Sequence, residues 1–231
     1  LKNLVEDLFI VLKNNFNSYE LILVNDKSLD DSWDIITNLC KSYSWIKGIE
    51  LRKNIGQHNS IFAGLKYAEG DRIITMDDDC QHSPKYIVDL NAELDKGHDV
   101  CYANYISKKH NLLRKLGSKI NNLIVTLLFR KPWNLNLTPF RCISYQVKDE
   151  IIKNKAPSVY LDGLILSITR NISRILVIHN DRKFGKSNYT FLKLLNLWMQ
   201  MLTGFSVVPL RFASILGFFF SISGFIIALW L

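Results

Sequence analysis

From residue 2 to residue 105, short apolar runs alternate with amphipathic stretches, and this alternation limits the fold more than any other feature. Leu4, Val5, Leu8, Val11 and Leu12 recur at helical spacing, which predicts a helix over 2–16. Residues 19–24 (YELILV) form a short apolar run that ends in Asn25-Asp26, as a buried strand meeting a polar loop does. A helix is predicted over 32–43, after the capping candidates Asp30 and Asp31. A strand follows over 46–51, then a helix over 57–68 closed by Gly70. A third strand over 72–76 runs into Asp77-Asp78-Asp79. Ser83-Pro84 then supplies a helix start, and 99–105 reads as a fourth strand. Such alternation implies an α/β domain with a mostly parallel sheet covered by helices on both faces. In these sheets ligands sit beyond the carboxyl ends of the strands. Asn25-Asp26 and Asp77–Asp79 both follow strand ends, so both belong on that edge.

Charge divides the chain. Residues 1–103 carry 11 Lys and Arg against 17 Asp and Glu, whereas residues 104–231 carry 18 against 4. An acidic first part suits metal binding; a basic second part suits a surface facing anionic lipid or phosphate, although plain solvated faces compete with both readings. Because the basic stretch leads straight into an apolar tail, nucleic acid is disfavoured as its partner. That tail, 212–231, holds no charged residue, and about 20 apolar residues suffice to cross a bilayer as a helix. The cations ahead of it, ending in Arg211, predict a cytoplasmic location for the preceding domain at the inner or plasma membrane.

Between these parts the pattern loosens. A helix with a basic start is predicted over 111–128, a loop over 132–139, and shorter elements up to 181. Phe191, Leu194, Leu195, Trp198, Leu202 and Phe205 then share one helical stripe, which suits an interfacial helix on a membrane as well as an ordinary core helix. The domain reading is therefore 1–189 for the α/β domain, 190–211 for an amphipathic interfacial segment and 212–231 for a membrane helix. Cys40, Cys80, Cys101 and Cys142 show no C-x-x-C spacing and read as reduced cysteines. The start at Leu1 and the stop inside the apolar run suggest a piece of a longer protein.

Alternate residues of an extended segment point the same way, so Asp77, Asp79 and Gln81 can converge on one ion. Oxygen ligands suit Mg²⁺ or Mn²⁺. A solvated acidic turn is the competing reading, but three adjacent carboxylates repel unless a cation balances them. Asn25, Asp26, Ser28 and Asp30 offer amide, hydroxyl and carboxylate groups for a base or ribose; a turn with a helix cap uses the same residues. Arg182, Lys183 and Lys186, with Gly185 and the hydroxyls of Ser187 and Tyr189, form either a mobile loop over a diphosphate or a lipid-holding patch. The histidines show no metal spacing.

In order along nearly the whole chain, these segments resemble the family-two glycosyltransferases, in particular the polyprenyl-phosphate (dolichyl-phosphate-mannose-synthase-like) branch. Val24–Asp30 is similar to that family's V-D-D-G-S-x-D nucleotide loop, Asn54-Ile55-Gly56 with Ala63-Gly64 to its N-x-G…A-x-x-x-G stretch, and Asp77–Pro84 to its D-x-D-x-Q-x-x-P metal motif. Arg114 and Ser118 fit an R-x-x-x-S pair, Phe140-Arg141 an acceptor-side F-R, and Arg182–Tyr189 an R-x-x-G-x-S-x-Y loop. Pro209-Leu210-Arg211 and the tail resemble its approach to the membrane. Departures are Asn25 and Lys27 in place of Asp and Gly, the lack of an Asp shortly before Phe140, and a first strand that should lie just before Leu1.

The resemblance implies a GT-A (Rossmann-like) fold and a metal-dependent enzyme. It implies inverting transfer of a sugar from a nucleotide-sugar donor, UDP favoured over GDP, to a polyprenyl phosphate. Asp79, Gln81, Arg114 and Arg141 are then the expected catalytic residues. Asn25, Asp26, Ser28, Asp78, Ser118, Arg182, Gly185, Lys186, Ser187 and Tyr189 are expected to bind substrate, and Asp77, Asp79 and Gln81 to hold Mg²⁺ or Mn²⁺. A homo-oligomer is compatible with this reading. Rival functions are transfer to a glycan acceptor and a non-catalytic membrane scaffold; the Q-x-x-R-W of processive synthases is not present.

Overall fold

The computed structural model describes residues 1–105, 126, 135–156, 159–178 and 208–230. Helix α1 (Lys2–Asn15) buries Leu4, Val5 and Leu8, and Lys13 sits in its last turn, where a cation complements the helix dipole. Strands β1 (Leu21–Asn25) and β2 (Ile46–Glu50) pair in parallel, with Leu21 opposite Ile46 and Asn25 opposite Glu50. Their crossover is α2 (Ser32–Ser42), which packs closely because β2 carries a glycine facing it. A Cβ at Gly48 would lie 2.7 Å from Ile36 Cγ2 and 3.1 Å from Cys40 Sγ.

A second sheet has the order β3-β5-β4-β6, built from β3 (Arg72–Thr75), β4 (Val100–Tyr105), β5 (Arg141–Ser144) and β6 (Ile172–Val177). β5 runs antiparallel to both β3 and β4, while β4 and β6 are parallel. The mostly parallel sheet expected from the alternation is thus a mixed one. The physical reason is β5, which lies beyond the alternating part of the chain on which that expectation rests and pairs antiparallel between β3 and β4.

Helices cover both faces, as expected. Side chains of a strand alternate between faces. Val100 and Tyr102 join one core cluster with Phe62, Leu65, Ile143 and Ile151. That face is covered by α3 (Gln57–Leu65), α5 (Tyr145–Ile152) and α6 (Leu161–Ile168). Cys101 and Ala103 join the opposite cluster with Leu4, Leu8, Leu90, Phe140 and Cys142, under α1 and α4 (Tyr86–Asp95). The four cysteines are free, and burial raises the thiol pKa of Cys101 to about 11 and of Cys142 to about 12.

Some element ends differ from expectation. α3 stops at Leu65, five residues before Gly70. Ser83 and Pro84 form a turn ahead of α4 in place of its first helical positions: their carbonyls accept from the Tyr86 and Ile87 amides at 3.2 and 3.0 Å. α7 (Val208–Trp230) is a 23-residue helix with Phe218, Phe219 and Phe220 exposed. Among the described residues no helix is long and apolar enough to cross a membrane. The side chains at 208–213 and 224–228 of α7 lie outside those residues.

Candidate active site at the strand ends

The site is assembled where β1 and β3 end. Asn25 closes β1 with its side chain 3% exposed, and its Oδ1 accepts the Ser28 amide at 3.1 Å. Its Nδ2 is buried with no hydrogen-bond partner, a donor left over inside the loop. Asp26 uses both carboxylate oxygens: Ile55 N–H donates to one at 2.8 Å and Gly56 N–H to the other at 2.9 Å. Asn54 Nδ2 donates to the Asp26 carbonyl at 2.9 Å. The nucleoside-loop candidate and the N-x-G segment are therefore one unit, and Asp26 holds it together. Lys27, where the resembled family has glycine, sits at φ 56°, in the left-handed region that glycine suits. Ser28 is exposed beside it.

The acidic loop after β3 is tied to this unit through Gln57, whose Nε2 donates to Asp77 Oδ1 at 2.6 Å. Asp79 Oδ1 accepts the Gln81 amide at 3.1 Å, and Cys80 between them has φ 61°. His82 is 4% exposed, and its Nδ1 accepts the Asp77 amide at 3.1 Å. Burial, and then the charges of Asp79 and Asp78, push the Asp77 carboxyl up to about 6. Among the described residues no group of three or more His, Cys, Asp or Glu is gathered to hold a metal ion. The crowding of Asp77, Asp78 and Asp79 nonetheless fits an oxygen-seeking divalent cation of the Mg²⁺ type, which takes only one or two carboxylates and completes its shell with water and substrate phosphate.

Beneath the loop lies a buried ionic floor. Arg141 is 1% exposed and pairs with Asp162 on α6, itself 7% exposed. Tyr102 O–H donates to the same Asp162 oxygen at 2.9 Å, and Arg141 Nε donates to Thr75 Oγ1 at 3.3 Å. Thr75 is the last residue of β3, and its hydroxyl donates to the Pro139 carbonyl at 2.6 Å. Burial opposes the Arg141 charge, but Asp162 outweighs it and holds the guanidinium firmly protonated. The structure places Arg141, expected from the F-R resemblance on the acceptor side, against Asp162 and Thr75, where its guanidinium braces the strand leading to Asp77.

Gln57, His82, Tyr102 and Asp162 were not among the sequence candidates. Asp162 carried a signal, as a lone acid inside the apolar run 159–166 of a basic half. His82 lay inside the Asp77–Pro84 motif without a role assigned to it, and Gln57 and Tyr102 carried no signal, since their partners are set by tertiary contacts. Arg114, Ser118, Arg182, Gly185, Lys186, Ser187 and Tyr189 lie outside the described residues.

The sequence profile of the family described as Glycosyl transferase family 2 matches residues 2–154. The undecaprenyl-phosphate 4-deoxy-4-formamido-L-arabinose transferase of Photorhabdus laumondii is 33% identical over 229 residues, 99% of this chain and 70% of that protein. The protein of the same name from Proteus mirabilis is 32% identical over 232 residues, covering 100% of this chain and 71% of its own. Among solved structures, glucosyl-3-phosphoglycerate synthase from Mycobacterium tuberculosis, in complex with Mn²⁺, UDP-glucose and phosphoglyceric acid, superposes with a TM-score of 0.58 at 12% identity. That superposition covers 86% of this chain and 74% of the other, and it establishes the shared fold.

Proposed function

The chain belongs to glycosyl transferase family 2, and from that premise we propose that it moves a sugar from a nucleotide-sugar donor onto a polyprenyl phosphate. The observation that carries this reading is the crowded Asp77–Asp79 loop, tied through Gln57 to the Asp26 unit at the end of β1. The names of the curated relatives support the acceptor class.

In this reading the Asn25–Ser28 loop receives the nucleoside, and Asp77, Asp79 and Gln81 are the residues that would hold Mg²⁺ or Mn²⁺ for the donor diphosphate. Such an ion, when bound, supplies charge neutralisation for the departing nucleoside diphosphate. Asp26 keeps residues 54–56 fixed against the loop, so the donor meets a preset surface. Arg114 and Ser118 place the acceptor phosphate, and the Arg182–Tyr189 segment closes over the diphosphate. A polyprenyl phosphate is largely ionised at neutral pH, because a phosphate monoester has its second pKa near 6. It attacks with little help from a base, and orientation of the two substrates supplies much of the acceleration. The transfer inverts the anomeric centre. UDP is the favoured nucleotide, and the amphipathic 190–211 and apolar 212–231 segments bring the lipid head group to a cytoplasmic-side domain.

Membranes containing the protein, radiolabelled nucleotide sugars, polyprenyl phosphate and Mn²⁺ test this directly, with a UDP-linked 4-deoxy-4-formamido-L-arabinose among the donors. Chelator-sensitive label in the lipid phase is the expected result. Folded protein that labels no lipid with any donor refutes the reading.

A further inference from the structure

The acidic loop is closed by a side chain that the transfer reaction itself does not call for. His82 Nδ1 accepts the Asp77 amide at 3.1 Å, which joins the two ends of a six-residue segment. An imidazole nitrogen that accepts cannot carry a proton, so the ring is the neutral tautomer protonated at Nε2. The ring is also fixed in orientation. It lies nearly parallel to Phe140, with centroids 5.0 Å apart and planes 12° apart, and to Tyr105, at 5.8 Å and 11°. Tyr105 ends β4 and Phe140 immediately precedes β5, so the stack anchors the imidazole to two strands of the sheet. Inside the clasp, Asp79 Oδ1 takes the Gln81 amide and Cys80 adopts φ 61°. Three consecutive carboxylates repel one another and favour an open, extended loop; the clasp opposes that opening at the backbone of the first of them.

We propose that His82 is a positioning residue of the donor site: anchored by Phe140 and Tyr105, it holds the Asp77 backbone and so presets the spacing of the Asp77 and Asp79 carboxylates for a divalent cation. The inference rests on the reading of this loop as the cation and diphosphate site. Groups that orient a metal site from behind its ligands commonly change affinity by about 10- to 100-fold when replaced.

Two substitutions separate the acceptor from the ring. His82→Phe keeps an aromatic ring for the stack and removes the acceptor. His82→Asn keeps an acceptor at the Nδ1 position and removes the ring. The full chain is measured without metal by hydrogen exchange at the Asp77 amide, and then by titration with Mn²⁺ alone. His82→Phe is expected to exchange the Asp77 amide at least about tenfold faster and to bind Mn²⁺ about tenfold more weakly. His82→Asn is expected to stay within about threefold of the parent in Mn²⁺ affinity while melting at a lower temperature. A purely structural role would lower the melting temperature of both and leave Mn²⁺ affinity unmoved in both; that result, or parent-like Mn²⁺ binding by His82→Phe, overturns the proposal. Failure of the underlying reading looks different: the parent protein itself then binds Mn²⁺ no better than Asp79→Ala.

Discussion

Changing Asp162 to asparagine removes one charge from the buried floor and little else. Asparagine matches the shape of the side chain and can still accept from Tyr102, so packing is nearly conserved. Arg141, 1% exposed and held protonated by Asp162, then faces a neutral amide with no water to replace the lost counter-charge. Breaking a buried ion pair by removing one partner costs roughly 3–5 kcal/mol. In a protein of this size each kcal/mol lowers the unfolding midpoint by about 2–4 °C, so a drop on the order of 6–20 °C is expected. Urea unfolding followed by tryptophan fluorescence measures the same quantity isothermally. Replacing both partners by apolar residues (Asp162→Leu with Arg141→Met) removes the orphaned charge, so the double variant should be clearly more stable than the sum of the single losses. A loss below about 0.5 kcal/mol for Asp162→Asn, or strict additivity in the double variant, would refute the reasoning.

Three further outcomes follow from the site and its supports. Asp77 has a folded pKa of about 6 against an ordinary value of 3.8, so the folded state binds more protons between those values. Its contribution to stability is full below pH 3.8 and lost as pH rises through 6, and in metal-free protein Asp77→Asn should flatten that part of the pH–stability curve. Asp26→Ala strands the Ile55 and Gly56 amides; a loss of about 1–3 kcal/mol in urea unfolding and a raised KM for the donor with lesser change in kcat are expected. Gly48→Ala drives a methyl into Ile36 and should cost about 1–3 kcal/mol by overpacking, read from the same unfolding curves, with donor affinity unchanged.

What the sequence determined by itself was local. Apolar periodicity placed α1, β1, α2, β2, α3, β3 and β4 to within a few residues. It also put Asn25-Asp26 and Asp77–Asp79 at strand ends, because side-chain periodicity and turn chemistry act over a few residues. The ordered motifs carried the family in the same way. The tertiary structure decided what these residues touch. Asp26 reads as a free ligand in a polar loop, yet its carboxylate serves amides 29 and 30 residues away. Arg141 shows in sequence only as part of an F-R pair, and the fold pairs it with an acid 21 residues further on and sets it on a threonine 66 residues back. β5 has no pattern of its own and exists because β3 and β4 offer it edges. In each case a buried polar group must find a partner wherever the fold brings one, and that search runs through space, where the spacing of residues along the chain carries no record of it.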